Sequence, residues 1–332
     1  MTTLILAGFL FGTVLQTAKL NRFDTISGLA ILEDLTVAKA ILFTLGISVA
    51  LFAILFLFGW VNFHVKPLLL VGVLLGGLVF GAGMAILGYC PGTLVVSAGE
   101  GAVDAMLGIV GGLLGGIAFS LTYPKISWVL GADYGNLSVF TLAGSPVLYL
   151  IIAILVSVTM IALAFYLDKI KPLNKRWILA GAALALLNVV ISLKFTYDRP
   201  VGASTAYPYL GGLTSELLRN TYFDKIEIPG AWESYFLLGA LLAGLIISLV
   251  TKNFRFQLIF SRWAFYKGTA PLKRIIWALS GGFILIFGAR LAGGCTSGHI
   301  ISGGMQLAVS SMLFAVAAFS GLLVSGRIFY KK

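Results

Sequence analysis

Along most of this chain the apolar residues form long unbroken runs separated by short polar stretches, with no strand-like alternation of apolar and polar positions. A helix that is hydrophobic on every side belongs in lipid or deep inside a larger protein. A bilayer crossing takes about 20 predominantly apolar residues. Nine segments meet or approach that length, at 2–17, 36–59, 67–87, 103–122, 146–167, 177–193, 232–250, 272–292 and 305–327. The pattern predicts an all-α polytopic membrane protein that forms a single transmembrane domain over residues 1–332. The first and sixth segments are short and run into polar breaks, Gln16–Asp24 and Lys194–Arg199. Short or interrupted segments at matching places in two halves point to a transporter's binding site.

Composition agrees. Hydrophobic residues make up 59% of the 332, charged residues only 11%, and the mean hydropathy is +1.03. Soluble domains carry about a quarter charged residues. The net charge of +11 does not signal nucleic acid, because the basic residues are not clustered beside aromatics on a polar surface. Their distribution instead predicts orientation, since basic loops stay cytoplasmic. With the N-terminus outside, 15 Lys and Arg residues fall inside and seven outside, with Lys39 left within a helix. Thr2–Thr17 lacks a basic leader region and a small-residue cleavage site, so it is expected to be the first crossing rather than a signal peptide.

The chain also repeats itself. A shift of 205 residues lays Gly76-Gly77 on Gly281-Gly282, Gly83 on Gly288, Gly88 on Gly293, Cys90 on Cys295, Ser97 on Ser302 and Gly99 on Gly304. A weaker echo at 177 pairs Arg22 with Arg199 and Ser27 with Ser204. Small residues shared by packed membrane helices would account for scattered glycine matches, but not for both cysteines of the protein. Corresponding helices lie five crossings apart, and an odd offset inverts the second copy. The expectation is an inverted-topology repeat, with residues 1–122 as the first copy, 146–167 as a connecting helix and 177–328 as the second.

Around the cysteines the chain reads G-Y-C-P-G-T and G-G-C-T-S-G-H, each followed by only about nine weakly polar residues. Nine helical residues cover roughly half a bilayer. Each is expected to form a re-entrant half-helix, which is tolerated at membrane depth where protein or a water-filled cavity surrounds it. Pro91 suits the first helical position and puts Cys90 at the N-cap. The amides of Gly92 and Thr93, and those of Thr296, Ser297 and Gly298 in the second copy, would then face an anion at the positive end of a helix dipole. A neutral thiol donates a weak hydrogen bond and suits a soft sulfur atom, whereas a thiolate would repel an anion.

These two blocks, G-A-R-L-A-G-G-C-T-S-G-H from Gly288 and A-I-L-G-Y-C-P-G-T from Ala85, resemble the paired signatures of the YeeE/YedE family of thiosulfate transporters. The resemblance covers almost the whole chain. It implies an hourglass-shaped importer in a bacterial inner membrane, with Cys90 and Cys295 as two relay thiols and often a small cytosolic sulfur-carrier protein as partner. The family often has a further cysteine after the first helix. Here Gln16 is followed by T-A-K-L and Asn21, which offers an oxyanion a hydrogen bond but no sulfur. Selenium or persulfide species stay open as substrates.

Charged groups at membrane depth are costly and rarely placed without function. Arg290 is the foremost candidate to attract the anion, followed by Arg199 and Arg22, against an alternative as structural ion pairs with Asp104, Glu100 or Asp198. His299, four residues after Cys295, would tune the thiol or sense a proton, although a lone membrane histidine is most often a packed hydrogen-bonding residue. Gly211–Trp232 is expected to be an extracytoplasmic loop over the mouth. Three readings compete. One is transport. The second is a membrane sulfurtransferase that forms a cysteine persulfide, which needs a nearby base and an orienting carboxylate. The third is a structural or assembly subunit, which would not need repeated glycine-cysteine breaks. No phosphate-binding loop, metal cluster or cofactor motif is present in the sequence, and none is expected.

Overall fold

The computed structural model describes residues 1–214 and 220–331. Among them the chain is helical nearly throughout, and its extended pairing is limited to isolated bridges. Helices α1 (Thr2–Thr17), α2 (Phe23–Ala30) and α3 (Thr36–Leu57) are followed by α4 (Leu70–Leu87), the short α5 (Pro91–Gly99) and α6 (Val103–Ile126). A single helical turn, α7 (Val139–Ala143), leads into α8 (Pro146–Ile170). The rest comprises α9 (Arg176–Ser192), α10 (Ala206–Gly212), α11 (Thr221–Val250), α12 (Ser261–Lys267), α13 (Pro271–Leu291), a π-wound segment Thr296–Gly303 and α14 (Val309–Phe329).

Among the described residues seven helical stretches are long and apolar enough to cross a bilayer, one of them running from Leu70 to Gly99 through the break at Cys90. Of the nine segments expected from the sequence, α1 and α9 are the two shorter ones. The chain is a multi-pass membrane protein. One expectation is corrected: much of Gly211–Trp232 is not loop, because α11 starts at Thr221. The Asn220 side chain accepts the amides of Tyr222 (2.9 Å) and Phe223 (3.2 Å) and so caps the helix early. Residues 215–219 of that expected loop, Arg219 among them, lie outside the described residues.

Antiparallel α4 and α13 form the centre. Their backbones approach so closely that a Cβ at Gly76 would sit 2.4 Å from the Ala292 nitrogen, and one at Gly288 would sit 2.4 Å from that of Phe80. Small residues allow such contact between membrane helices. Around this pair the packing recurs with the halves exchanged. Helix α1 lies on α11 as α9 lies on α3; α4 meets α14 as α13 meets α6; α5 meets α11 as the π segment meets α3; α2 meets α14 as α10 meets α6. Helix α8 stands outside this scheme, packed on α3 and exposing Ile151, Leu155 and Val158.

Two buried clamps fix the ends of the helices. Lys39, the one base left inside a helix by the orientation count, is fully buried and donates to Asp168 at 2.9 Å, which also accepts from Trp177 at 3.1 Å. Arg274, also fully buried, bonds Asp104 through Nε at 3.1 Å and the Leu87 carbonyl through Nη2 at 2.8 Å. Its guanidinium lies 4.5 Å from the ring centres of both Phe23 and Trp263.

Candidate functional site

The two thiols sit at equivalent breaks. Gly88 and Gly293 take left-handed φ values of +82° and +76°, a conformation that glycine enters without strain. Cys90 and Cys295 follow in extended conformation as N-caps of α5 and of the π segment. Pro91 occupies the first turn of α5 as its fixed φ predicts.

Around Cys90 the amide donates to Thr93 Oγ1 at 2.9 Å, and Thr93 Oγ1 lies 3.3 Å from the sulfur. The two residues form a capping box, so the Thr93 amide faces the Cys90 sulfur and is not free as expected. Gly92 lies under the Phe11 ring, 3.2 Å from where a Cβ would stand. Tyr207, from α10, donates to the Pro91 carbonyl at 3.2 Å. Cys295 is buried, with its sulfur 3.2 Å from Ser297 Oγ.

A cavity of about 770 Å³ joins these breaks. Cys90, Gly92 and Thr93 line it from one half of the chain, and Thr296 and Ser297 line it from the other. Apart from Lys171, the rest of its wall is apolar, drawn largely from α1, α2, α3, α8 and α14. The Thr296 hydroxyl is buried and has no hydrogen-bond partner among the described residues. An orphaned hydroxyl of this kind costs free energy unless something fills its place.

Arg290 is nearly buried, and among the described residues no carboxylate pairs with it. A cradle of hydroxyls holds it instead: Tyr222 at 2.7 Å from Nε, and Ser204 at 3.1 Å and Thr205 at 3.0 Å from Nη1. Neutral partners leave its charge uncompensated and available to an anion. Arg199 stacks on Trp232 and reaches Glu233 at 4.0 Å, while Glu233 accepts the Thr205 amide. Of the three carboxylates weighed as partners for the arginines, Glu100 lies 3.6 Å from Arg22, as the ion-pair alternative expected for that residue, whereas Asp104 is placed with Arg274 and Asp198 with Asn62 and His64.

Two expected site residues turn to partners outside the cavity wall. Asn21 is fully buried, donates to Ser97 Oγ at 3.1 Å and accepts that hydroxyl on its carbonyl at 2.6 Å. It ties the α1–α2 turn to α5 and is absent from the cavity wall. His299 uses both ring nitrogens away from the thiol, on the Ala292 carbonyl (2.8 Å) and Ser311 Oγ (3.0 Å), and stacks on Phe314. Because a carbonyl only accepts, Nε2 carries a proton, and the ring acts as a pin between the break and α14. At Gly298, expected to offer an amide, a Cβ would lie 3.0 Å from the Lys66 ammonium. Lys66 and Tyr207 had no sequence signal beyond one cation in a short loop and one aromatic in a polar break.

Comparison with known proteins shows the family. The family described as Sulphur transport matches residues 23–324. The chain belongs to that family. The match spans both breaks and every helix from α2 to most of α14. The chain is also similar to a protein of Spirochaeta thermophila named thiosulfate transporter TsuA. The two are 27% identical, over 99% of this chain and 98% of that one.

Proposed function

We propose that this protein carries thiosulfate, or a closely related sulfur-containing anion, inward across a bacterial inner membrane, with its N-terminus outside and its C-terminus in the cytoplasm. The observation that carries this reading is the shared cavity: half-helix starts from two distant parts of the chain open on it, with a thiol, two hydroxyl-bearing residues and the unpartnered Thr296 hydroxyl at hand. The name of the Spirochaeta relative supplies the substrate class.

Thiosulfate is a tetrahedral dianion with hard oxygens at one end and a soft sulfur at the other. Arginine and hydroxyl donors suit the oxygens. A neutral, polarisable thiol suits the sulfur. Each contact is weak enough to release the ion to the next, as conduction between neighbouring sites requires. The exchanged packing of the two halves supports an inverted repeat, with residues 1–122 and 177–328 as its copies and α8 as connector. In such a repeat, rocking of one copy against the other would expose the thiols to each side in turn.

A covalent sulfur transfer would need a base beside a thiol. His299 has both nitrogens committed elsewhere, and Cys90 and Cys295 contact hydroxyls instead. This favours transport over a sulfurtransferase. The reading is tested in cells that depend on thiosulfate for sulfur. Cys90→Ala and Cys295→Ala are expected to insert normally and abolish growth, and intact-protein mass after thiosulfate exposure should show no added sulfur. Growth at the wild-type rate would overturn the assignment of the thiols, and a lasting 32-dalton adduct, about one sulfur atom, would favour the sulfurtransferase.

A further inference from the structure

Lys66 lies in the segment between α3 and α4, which is pinned across the break that precedes the π segment. The His64 amide donates to Gln306 Oε1 at 2.5 Å, and Ser310 Oγ donates to the Lys66 carbonyl at 3.0 Å. The side chain turns toward the second thiol block. Its Nζ donates to the Gly293 carbonyl at 2.6 Å. A Cβ at Gly294 would stand 2.0 Å from Nζ, and one at Gly298 would stand 3.0 Å from it. Two glycines of the G-G-C-T-S-G block thus make room for an ammonium.

The surroundings carry excess positive charge. Arg290, Arg199, Glu233 and Cys295 are all within electrostatic range of Lys66, and so is His299. Glu233 is engaged by the Thr205 amide and Arg199, and the nearby Asp198 by Asn62 and His64. Among the described residues Lys66 has only a neutral carbonyl as its hydrogen-bond partner.

We propose that Lys66 forms an outer anion site, above Cys295 and separate from the thiol cavity, which takes up an incoming oxyanion of the thiosulfate class before it reaches the thiols. On loading, the ammonium exchanges the Gly293 carbonyl for an anion oxygen. This deepens the transport reading and rests on it. Burial, and then repulsion from Arg290, bring the Lys66 ammonium down to about 8, so the loading charge is lost within an accessible pH range. Anion affinity is full below that pH and falls as the ammonium deprotonates above it. A bound anion opposes the loss.

The test is uptake of radiolabelled thiosulfate by vesicles holding the full chain, with KM and maximal rate measured from pH 6.5 to 9.5. Lys66→Gln is expected to raise KM about tenfold, the size of a lost charge-assisted hydrogen bond, with a smaller change in maximal rate. The wild-type KM should climb above pH 8. Lys66→Arg, charged throughout the range, should keep a flat profile, a result that a purely structural role for Lys66 would not give. Gly298→Ala crowds the ammonium without altering charge and should raise KM in the same direction. A wild-type KM in Lys66→Gln, or a wild-type pH inflection in Lys66→Arg, overturns the outer site. Should Lys66→Gln fail to fold, the Lys66→Arg profile decides. If Cys90→Ala and Cys295→Ala abolish uptake while the Lys66 variants behave as wild type, only this site falls; if the cysteine variants transport normally, the thiol reading falls.

Discussion

Asp104→Asn isolates the energy of the clamp beneath the first thiol. Its carboxylate bonds Arg274 through Nε and Nη2 and accepts the Tyr89 hydroxyl at 3.2 Å, one residue before Cys90. Both charged residues are fully buried. An amide of the same shape keeps the packing and removes the charge. Arg274 is then left with the carbonyls of Ile86 (3.4 Å) and Leu87 (2.8 Å) and two aromatic faces. Stranding one member of a buried pair costs about 3–5 kcal/mol. Reversible unfolding in mixed detergent micelles measures it, in a cycle with Arg274→Met and the double variant. The double variant should be less destabilised than the sum of the singles by about 2 kcal/mol. An Asp104→Asn loss below about 1 kcal/mol would refute the reasoning, because it would mean the arginine charge is hydrated and not clamped.

Gly88→Ala should cost more than Gly293→Ala. Both force a left-handed residue, at about 1–2 kcal/mol, but the Gly88 Cβ would also stand 2.3 Å from the Phe23 ring, whereas nothing lies within 4 Å of the one at Gly293; thermal midpoints in detergent rank the two. Thr296→Val removes a hydroxyl that has no partner, so the midpoint should hold or rise while uptake KM increases about tenfold. Arg290→Lys keeps the charge and loses the planar fork that three hydroxyls hold; uptake kinetics should show a higher KM at unchanged expression, and a wild-type KM would remove Arg290 from the anion path.

The crossings were legible because a bilayer demands continuous apolar length, and the start of each long helix falls within a few residues of its expected place except where Asn220 extends α11. The breaks were legible for a local reason: Pro91 and the matched glycines declare a cap before any packing is known. What stayed hidden was decided at long range. Arg290 takes its partners from Ser204, Thr205 and Tyr222, at sequence distances of 86, 85 and 68 residues. Asn21 lies where a relay group was expected, but Ser97, 76 residues on, claims it. His299 is four residues from the thiol in sequence, and its ring turns to Ser311. Lys66 reads as an ordinary loop cation until folding lays it over Gly294 and Gly298.

The most direct measurement is the initial rate of radiolabelled thiosulfate entry into sealed vesicles that contain the purified chain, Cys90→Ala or Cys295→Ala, with excess sulfate outside. The wild type should fill the vesicles despite the sulfate, and each alanine variant should fall to the level of protein-free lipid. Entry at wild-type rates through either variant, or entry that sulfate abolishes, would contradict the assignment of a sulfur-selective path to the two thiols.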